Sequence, residues 1–219
     1  MLLLLSGIGA AGGVTWALLG SGLFAVRSVV VTGTRLVPES EVLAVADVQP
    51  GTPLIRVNTA RIAARVLTIR QVLGVRVSRS WPDRVVIAVR ERTPALAVAL
   101  PGGGFDLIDS YGVVVRSAAT RPRGFPLYDT TAPVSSLGGD PDVAAAGAVL
   151  GALPPWLRLS VTSVTVPGPD QVTLRLSSGV TVLWGSADDT AAKVRELAIL
   201  MPTRARYYDV SSPATAVTS

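Results

Sequence analysis

The side chains of this chain that could carry chemistry are carboxylates, one amine and a few phenols. Its 219 residues include no His and no Cys, which excludes Ser-His and Cys-His catalysis, thiolate metal sites and disulfides. Asp106 and Asp109 are a pair of carboxylates that could act as acid and base, and a secreted hydrolase built on them is one hypothesis. Residues 109–112, Asp-Ser-Tyr-Gly, are however typical of a hairpin turn, which favours a structural role for Asp109.

Neither the glycine run nor the single lysine predicts a ligand site. Residues 101–104 are followed by no Gly-Lys-Ser/Thr and no helical pattern, so we expect a turn there and not a phosphate loop. Lys193 lies on a predicted helix after Asp188 and Asp189. We expect its stem to lie on the sheet and its amino group to reach solvent. The sequence therefore predicts no enzyme, no cofactor and no metal site.

The positive charge of the chain is concentrated in one region. The formal net charge is +5, and residues 27–92 contain eleven Arg against five acidic residues. From residue 93 onward nine basic residues face ten acidic ones. A GC-rich genome, or a basic patch that faces anionic lipid headgroups, accounts for the arginines without any nucleic-acid partner.

The amino-terminal segment predicts a membrane anchor. Residues 2–26 carry no charge, and as a helix they would extend about 37 Å, enough to cross a hydrocarbon core of about 30 Å. We therefore predict a transmembrane helix over residues 1–26. A cleaved signal peptide is the alternative, but the apolar run is longer than a signal core and no clear A-x-A site follows it. The first charged residue, Arg27, follows the span, so an outward orientation predicts a truncated amino end or a misplaced start codon.

Residues 27–93 predict a small α+β unit with the order β-α-α-β-β. A β-branched run at residues 26–32 predicts the first strand, and Pro38 with two acidic residues predicts a helix start. Asn58 or Thr59 can cap a second helix whose apolar face holds Ile62, Val66 and Ile69. Two alternating strands follow on either side of Trp-Pro-Asp at residues 81–83, a natural hairpin connection.

Residues 94–219 predict a second, mostly antiparallel β unit with two helices. Alternating apolar residues separated by turn residues indicate the strands, among them residues 160–166, 172–176 and 180–184. The Ala-rich stretch after Asp140 predicts one helix that ends at Pro154-Pro155. The stretch after Asp188-Asp189 predicts the other.

Short motifs along both units carry a resemblance to a known family. Gly-x-Pro-Leu stands at residues 51–54, and Trp81-Pro82 leads to Glu-Arg-Thr-Pro at residues 91–94. Near the end, residues 209–213 read Asp-Val-x-x-Pro. Together these motifs resemble the POTRA domain and the following β domain of the FtsQ/DivIB family of bacterial cell-division proteins. The resemblance covers almost the whole chain.

The resemblance implies a non-enzymatic scaffold and regulator of the divisome that recruits other division proteins by edge-strand pairing during septum formation. The implied partners are FtsB/DivIC-like and FtsL-like proteins, with FtsW/FtsI-like septal synthases as further candidates. The implied location is the bacterial plasma membrane at the septum, with a single span and both folded units outside the cytoplasm.

The resemblance also implies which residues meet partners. The partner edge would consist of Tyr207, Tyr208, Asp209, Val210, Ser211, Ser212, Pro213, Ala214, Thr215, Ala216 and Val217. Adjacent strand residues point to opposite faces, so only one of the two tyrosines can face a partner side chain on a given face. The alternative is that Tyr207 and Val210 fill the core while the tail frays.

Four residues of the first unit are candidates for POTRA or interdomain contacts, namely Trp81, Pro82, Glu91 and Arg92. The simpler interpretation is that Trp81 packs against its own hairpin and that Glu91 and Arg92 form an exposed or interdomain ion pair. An export protein built on POTRA domains is a further alternative, but it would require several repeats and a following barrel.

Overall fold

The computed structural model describes residues 24–212 and 217–218, and the chain divides into two compact units after Arg92. The predicted anchor over residues 1–26 lies outside the described residues except for its last three. Among the residues that are described, no helix has the length and apolarity needed to cross a bilayer.

The first unit has the predicted order β-α-α-β-β. Its elements are β1 (Ser28–Thr32), α1 (Glu39–Ala46), α2 (Thr59–Val66), β2 (Val72–Ser80) and β3 (Arg84–Glu91), with a 3-10 turn at Leu54–Arg56. The three strands form a sheet in the order β1-β3-β2. β1 is parallel to β3, and β2 is antiparallel to it. A parallel first strand is possible because two helices provide the crossover.

Local sequence explains the helices of the first unit. The Asn58 side chain accepts a hydrogen bond from the Arg61 N–H at 2.9 Å and caps α2, as predicted. Ile62 and Val66 are buried, which confirms that part of the predicted apolar face. The helix ends at Val66, however, so the buried Ile69 lies in the turn after α2 and not on the helix. In β3 the alternation of buried and less buried residues follows the two-residue period of a strand with one covered face.

The second unit contains nine strands and three helices. The strands are β4 (Leu96–Ala99), β5 (Phe105–Ile108), β6 (Val114–Ala118), β7 (Leu127–Asp129), β8 (Val161–Thr165), β9 (Val172–Leu176), β10 (Thr181–Gly185), β11 (Tyr207–Asp209) and β12 (Val217–Thr218). The helices are α3 (Pro141–Ala152), α4 (Pro155–Ser160) and α5 (Thr190–Leu200). Two short 3-10 turns lie at Val134–Ser136 and Met201–Thr203.

The prediction of two helices in this unit was wrong, because α4 is a third. The Pro154-Pro155 pair ends α3, but Pro155 then begins α4 instead of a loop. Proline suits the first turn of a helix, where its missing N–H removes no hydrogen bond. The strand that follows begins at Val161.

The nine strands form one sheet in the order β12-β11-β10-β9-β8-β7-β4-β5-β6. Five of the neighbouring pairs are antiparallel, which confirms a mostly antiparallel β unit. The pairs β4–β7, β7–β8 and β10–β11 are parallel. The core of the unit lies where the helices cover the sheet, and Trp184 is its largest fully buried side chain.

Candidate functional site

The end of the sheet formed by β11 and β12, here called the terminal strand pair, contains the predicted partner edge. Tyr207–Asp209 runs parallel to β10, with Tyr207 opposite Thr181. On its other side β11 pairs antiparallel with β12 through only two residue pairs, Tyr208 with Thr218 and Asp209 with Val217. Within the described residues, β12 is therefore the last strand of the sheet at this end.

The side chains of β11 alternate between the core and the surface. Tyr208 is 1% exposed, and its hydroxyl donates a hydrogen bond to the Met201 carbonyl at 3.2 Å. Val210 is fully buried, whereas Tyr207 and Asp209 are half-buried. The two tyrosines thus differ in role, because Tyr208 anchors the strand and Tyr207 remains available at the surface.

A turn after β11 directs the chain towards β12. The Asp209 carboxylate accepts hydrogen bonds from the backbone N–H of Ser211 at 2.9 Å and from its hydroxyl at 2.7 Å. Ser212 is exposed. The predicted partner residues Pro213, Ala214, Thr215 and Ala216 lie outside the described residues. Val217 belongs to β12, as stated above.

Two titratable groups near the terminal strand pair have shifted pKa values. Burial, and secondly the negative charge of Asp209, raise the pKa of Tyr207, so its phenol is neutral at physiological pH. Burial lowers the pKa of Lys193, while the nearby Asp188 and Asp189 partly oppose this change.

The amino group of Lys193 does not lie where the sequence predicts. Its side chain is only 2% exposed, and its Nζ donates a hydrogen bond to the Ser186 carbonyl at 2.9 Å. The expectation that its amino group reaches solvent was wrong. The amino group satisfies the carbonyl just beyond β10, so it joins α5 to the strand that β11 pairs with.

The hairpin residues of the first unit lie at its surface. Trp81 is 51% exposed, and its ring packs edge-on against that of Phe24 with 5.4 Å between ring centroids. Pro82 follows it in the turn between β2 and β3, and the peptide bond between them is cis. Trp81 therefore contacts Phe24, one of the last three residues of the predicted anchor.

Glu91, at the end of β3, holds the loop that follows β1. Its carboxylate accepts hydrogen bonds from the backbone N–H groups of Arg35, Leu36 and Val37 at 2.8–3.0 Å. Burial raises the pKa of Glu91, but these three N–H groups and the Arg35 charge outweigh it, so the pKa lies below its ordinary value. Sequence reasoning missed this role, since only the β1–β3 pairing shows that Glu91 lies beside the loop after β1.

Arg92 contacts the turn between α2 and β2 of the same unit. Its Nε donates to the Arg70 carbonyl at 3.0 Å, and its backbone N–H donates to the Gln71 carbonyl at 2.7 Å. These bonds fix the chain where it leaves β3. They give the Glu-Arg motif a structural role that does not depend on any second unit.

The two candidate acids of the hydrolase hypothesis have structural partners. Asp109 is 3% exposed, and its carboxylate accepts from the backbone N–H groups of Tyr111 and Val113, both at 2.9 Å. Asp106 accepts from the Ser117 hydroxyl. The prediction that Asp109 is a turn residue is confirmed. Within the residues described, no group of three His, Cys, Asp or Glu residues is placed to hold a metal ion.

Comparison with known families accounts for both units. Residues 24–92 match the model of the POTRA domain of FtsQ type, and residues 97–211 match that of the C-terminal region of the cell division protein FtsQ/DivIB. The chain belongs to the FtsQ/DivIB family. The motifs at residues 51–54 and 91–94, and most of the motif at residues 209–213, lie within or at the edge of these matches.

Relatives of the FtsQ/DivIB family align with most of the chain. The cell division protein FtsQ of Mycobacteroides abscessus is 37% identical over 191 residues, which is 87% of this chain and 60% of the relative. That of Streptomyces collinus is 36% identical over 220 residues, which is 95% of this chain and 83% of the relative. The chain thus spans less than two thirds of the mycobacterial protein's length.

The solved structures that match include the major extracytoplasmic domain of the cell division protein DivIB from Geobacillus stearothermophilus, in its trans isomer. It is 16% identical, has a TM-score of 0.36, and covers 50% of this chain and 92% of its own. A TM-score of this size supports no argument about this FtsQ/DivIB chain.

Proposed function

We propose that this chain is a non-enzymatic scaffold of the bacterial divisome that recruits partner division proteins by pairing strands at the terminal strand pair. One observation carries the proposal, namely that β12 is the last strand at this end of the described sheet and pairs with β11 through two described residue pairs. A short edge strand leaves backbone donors and acceptors available to a strand from another chain. Membership of the FtsQ/DivIB family supports a role in cell division.

The proposed partners are FtsB/DivIC-like and FtsL-like proteins, and beyond them FtsW/FtsI-like septal synthases. Residues Tyr207 to Val217 would form the contact. The buried Tyr208 and Val210 hold β11 in the sheet, while the half-buried Tyr207 is available to a partner side chain. Backbone pairing would supply affinity and Tyr207 would help to set the register.

The test is co-purification of the full chain with these partners from the same cell. Deleting residues 207–219 would remove Tyr208 and Val210 from the core, so the deletion should begin after Ser212 instead. We expect this shorter deletion to abolish binding and leave the fold intact. The substitution Arg116→Ala on β6, which changes an exposed side chain at the opposite end of the sheet, is the control and should leave binding unchanged. Unchanged binding after the deletion would contradict the assignment.

The anchor and the topology belong to the same proposal. Residues 1–26 would form a single span that places the POTRA and β units outside the cytoplasm at the septum, and Trp81 with Phe24 would lie close to the membrane. Protease added to spheroplasts should digest the folded units of the full-length protein. Digestion only after lysis would contradict this orientation.

The absence of catalysis is also proposed. The chain lacks His and Cys, and both Asp106 and Asp109 accept structural hydrogen bonds. An activity screen against cell-wall substrates should give the same background for the protein and for Asp109→Asn. Turnover that depends on Asp109 would overturn this part of the proposal.

A further inference from the structure

A groove in the second unit lies away from the terminal strand pair. Two neighbouring cavities, of about 430 and 260 Å³, share four lining residues and so form one continuous depression. We call it the α3–α4 groove, and define it by Phe125, Pro126, Leu150, Gly151, Arg158 and Leu159. It opens beside the start of β7, and three strands separate β7 from β11 in the sheet.

Part of the groove is lined by apolar side chains. Leu150 forms part of its floor from α3, and Phe125 and Pro126 line its wall. In α4 the side chain of Leu157 is fully buried, whereas Leu159 is 76% exposed. An exposed leucine beside a concave apolar surface is the arrangement that receives a large side chain from another molecule.

Gly151 lines the groove near the end of α3. Glycine inside a helix costs about 1 kcal/mol relative to alanine, so a helical glycine needs a reason. Gly147 has one, because a Cβ there would lie 2.5 Å from the Ser110 Cβ. A Cβ at Gly151 would meet no atom within 4 Å, so packing within the chain does not require glycine there. A larger residue at Gly151 would instead project into the groove.

The rim of the groove is positively charged. Arg121, Arg123 and Arg158 line it, and neither cavity is lined by an acidic residue. The Arg121 guanidinium donates to the Thr162 carbonyl and is thereby held in place. Within the described part of the chain, the guanidinium groups of Arg123 and Arg158 form no hydrogen bond or ion pair. Two such groups complement the carboxylates of a bound segment.

We propose that the α3–α4 groove binds an acidic peptide segment of a partner protein. An apolar side chain of that segment would insert between Leu150 and Leu159, while its carboxylates pair with Arg123 and Arg158. The combination of a concave apolar floor and a basic rim favours a peptide over a flat lipid surface. The site is separate from the terminal strand pair, so it would allow two partner segments to bind one molecule at once.

The test uses random peptides displayed on phage and selected on the full chain. We expect the selected peptides to combine acidic residues with one large apolar residue. Gly151→Leu, which fills the groove, and Arg158→Glu, which reverses the rim charge, should each weaken binding of the selected peptides by at least about tenfold.

Matched controls separate these effects from unfolding. Gly168→Leu places the same side chain where a Cβ meets nothing within 4 Å, and Arg175→Glu reverses an exposed charge on β9. Both controls should retain binding. Deletion after Ser212 should also retain it, so failure here is distinguishable from failure of the terminal strand pair.

Three results would overturn the proposal. The first is that no peptide is selected, or that the selected peptides lack acidic residues. The second is equal binding to the protein and to Gly151→Leu. The third is that the protein binds no peptide but binds phosphatidylglycerol vesicles, and that Arg158→Glu abolishes this vesicle binding. That result would mean that the basic rim binds lipid headgroups.

Discussion

The two ends of the nine-stranded sheet are closed in different ways. At one end β5 and β6 form a hairpin with four residue pairs, and the buried Asp109 holds its turn through nearby backbone N–H groups. At the other end β11 and β12 share only two pairs, and the buried Lys193 joins α5 to the carbonyl after β10. Asp109 and Lys193 are the buried charged residues of the described chain.

The two edges also differ in the residues that finish them. The β6 end is finished by local contacts, and its exposed Arg116 and Ser117 add polar groups that discourage pairing with another chain. At the other end, β11 of the terminal strand pair joins β10 through residues that are far apart in the sequence, such as Thr181 and Tyr207. Under the proposed function, this is the edge that a partner strand would extend.

The largest loss of stability is expected from a substitution in the turn between β5 and β6. Gly112 has φ +76°, and a Cβ there would lie 1.7 Å from the Leu137 carbonyl oxygen. Gly112→Ala should lower the free energy of unfolding by about 3 to 5 kcal/mol through collision and backbone strain together. Gly179→Ala has a similar φ but open space, so it should cost only about 1 to 2 kcal/mol. Urea unfolding followed by tryptophan fluorescence measures both losses of stability, and equal losses would refute the contrast.

The second largest loss of stability is expected from only one of the two tyrosines of β11. Tyr208→Ala removes a buried ring and its hydroxyl contact, and should lower the free energy of unfolding by about 3 kcal/mol. Tyr207→Ala should change it by less than about 1 kcal/mol, because that ring is only half-buried. Thermal unfolding of the two variants tests this order. A larger loss of stability for Tyr207→Ala than for Tyr208→Ala would mean that the face of β11 with Tyr207, and not the face with Tyr208, makes the contacts that hold the strand.

A smaller effect is expected at the Asp109 turn. Asp109→Ala leaves the Tyr111 and Val113 N–H groups without their acceptor and should cost about 2 kcal/mol. Binding of partners at the terminal strand pair should be unchanged, since the two lie at opposite ends of the sheet. Urea unfolding and co-purification on the same variant check both statements. Loss of partner binding in a folded Asp109→Ala protein would contradict the separation of the two ends.

The smallest effect is a pH dependence at the terminal end. The pKa of Lys193 is lower in the folded protein than its ordinary 10.5, so the unfolded chain binds more protons between the folded pKa and 10.5. Stability contributed by this site should therefore rise with pH across that window and be constant below it. The pH-dependent contribution of Lys193 to stability is the difference in unfolding free energy between the protein and Lys193→Met, measured at each pH. A difference that falls with rising alkaline pH would show that the amino group is not buried.

The sequence predicted elements better than it predicted their neighbours. Alternating apolar residues and the Asn58 cap gave the order of the first unit correctly. The same alternation could not show that β11 runs parallel to β10 or that β7 lies between β4 and β8. The alternation of apolar residues along a strand indicates which face is buried, but it does not indicate which strand pairs with it.

The site was predicted least well where a role depends on a distant backbone group. Lys193 was placed in solvent because lysine usually extends its amino group to water, and the Ser186 carbonyl that receives it was not visible in the sequence. The role of Glu91 depends on three N–H groups more than fifty residues away along the chain. Helix α4 was missed because consecutive prolines indicate a break more readily than a new start.

The parallel pairing of β10 with β11 has a consequence for the order of folding. Thr181 and Tyr207, which lie opposite each other, are twice as far apart along the chain as Phe105 and Ala118 in the β5–β6 hairpin. Closing the longer loop loses more entropy and requires α5 to be in place, so we expect β11 to dock after the hairpin has formed. A molecule still on its folding pathway then has no completed edge to offer, and partner strands would select only finished molecules.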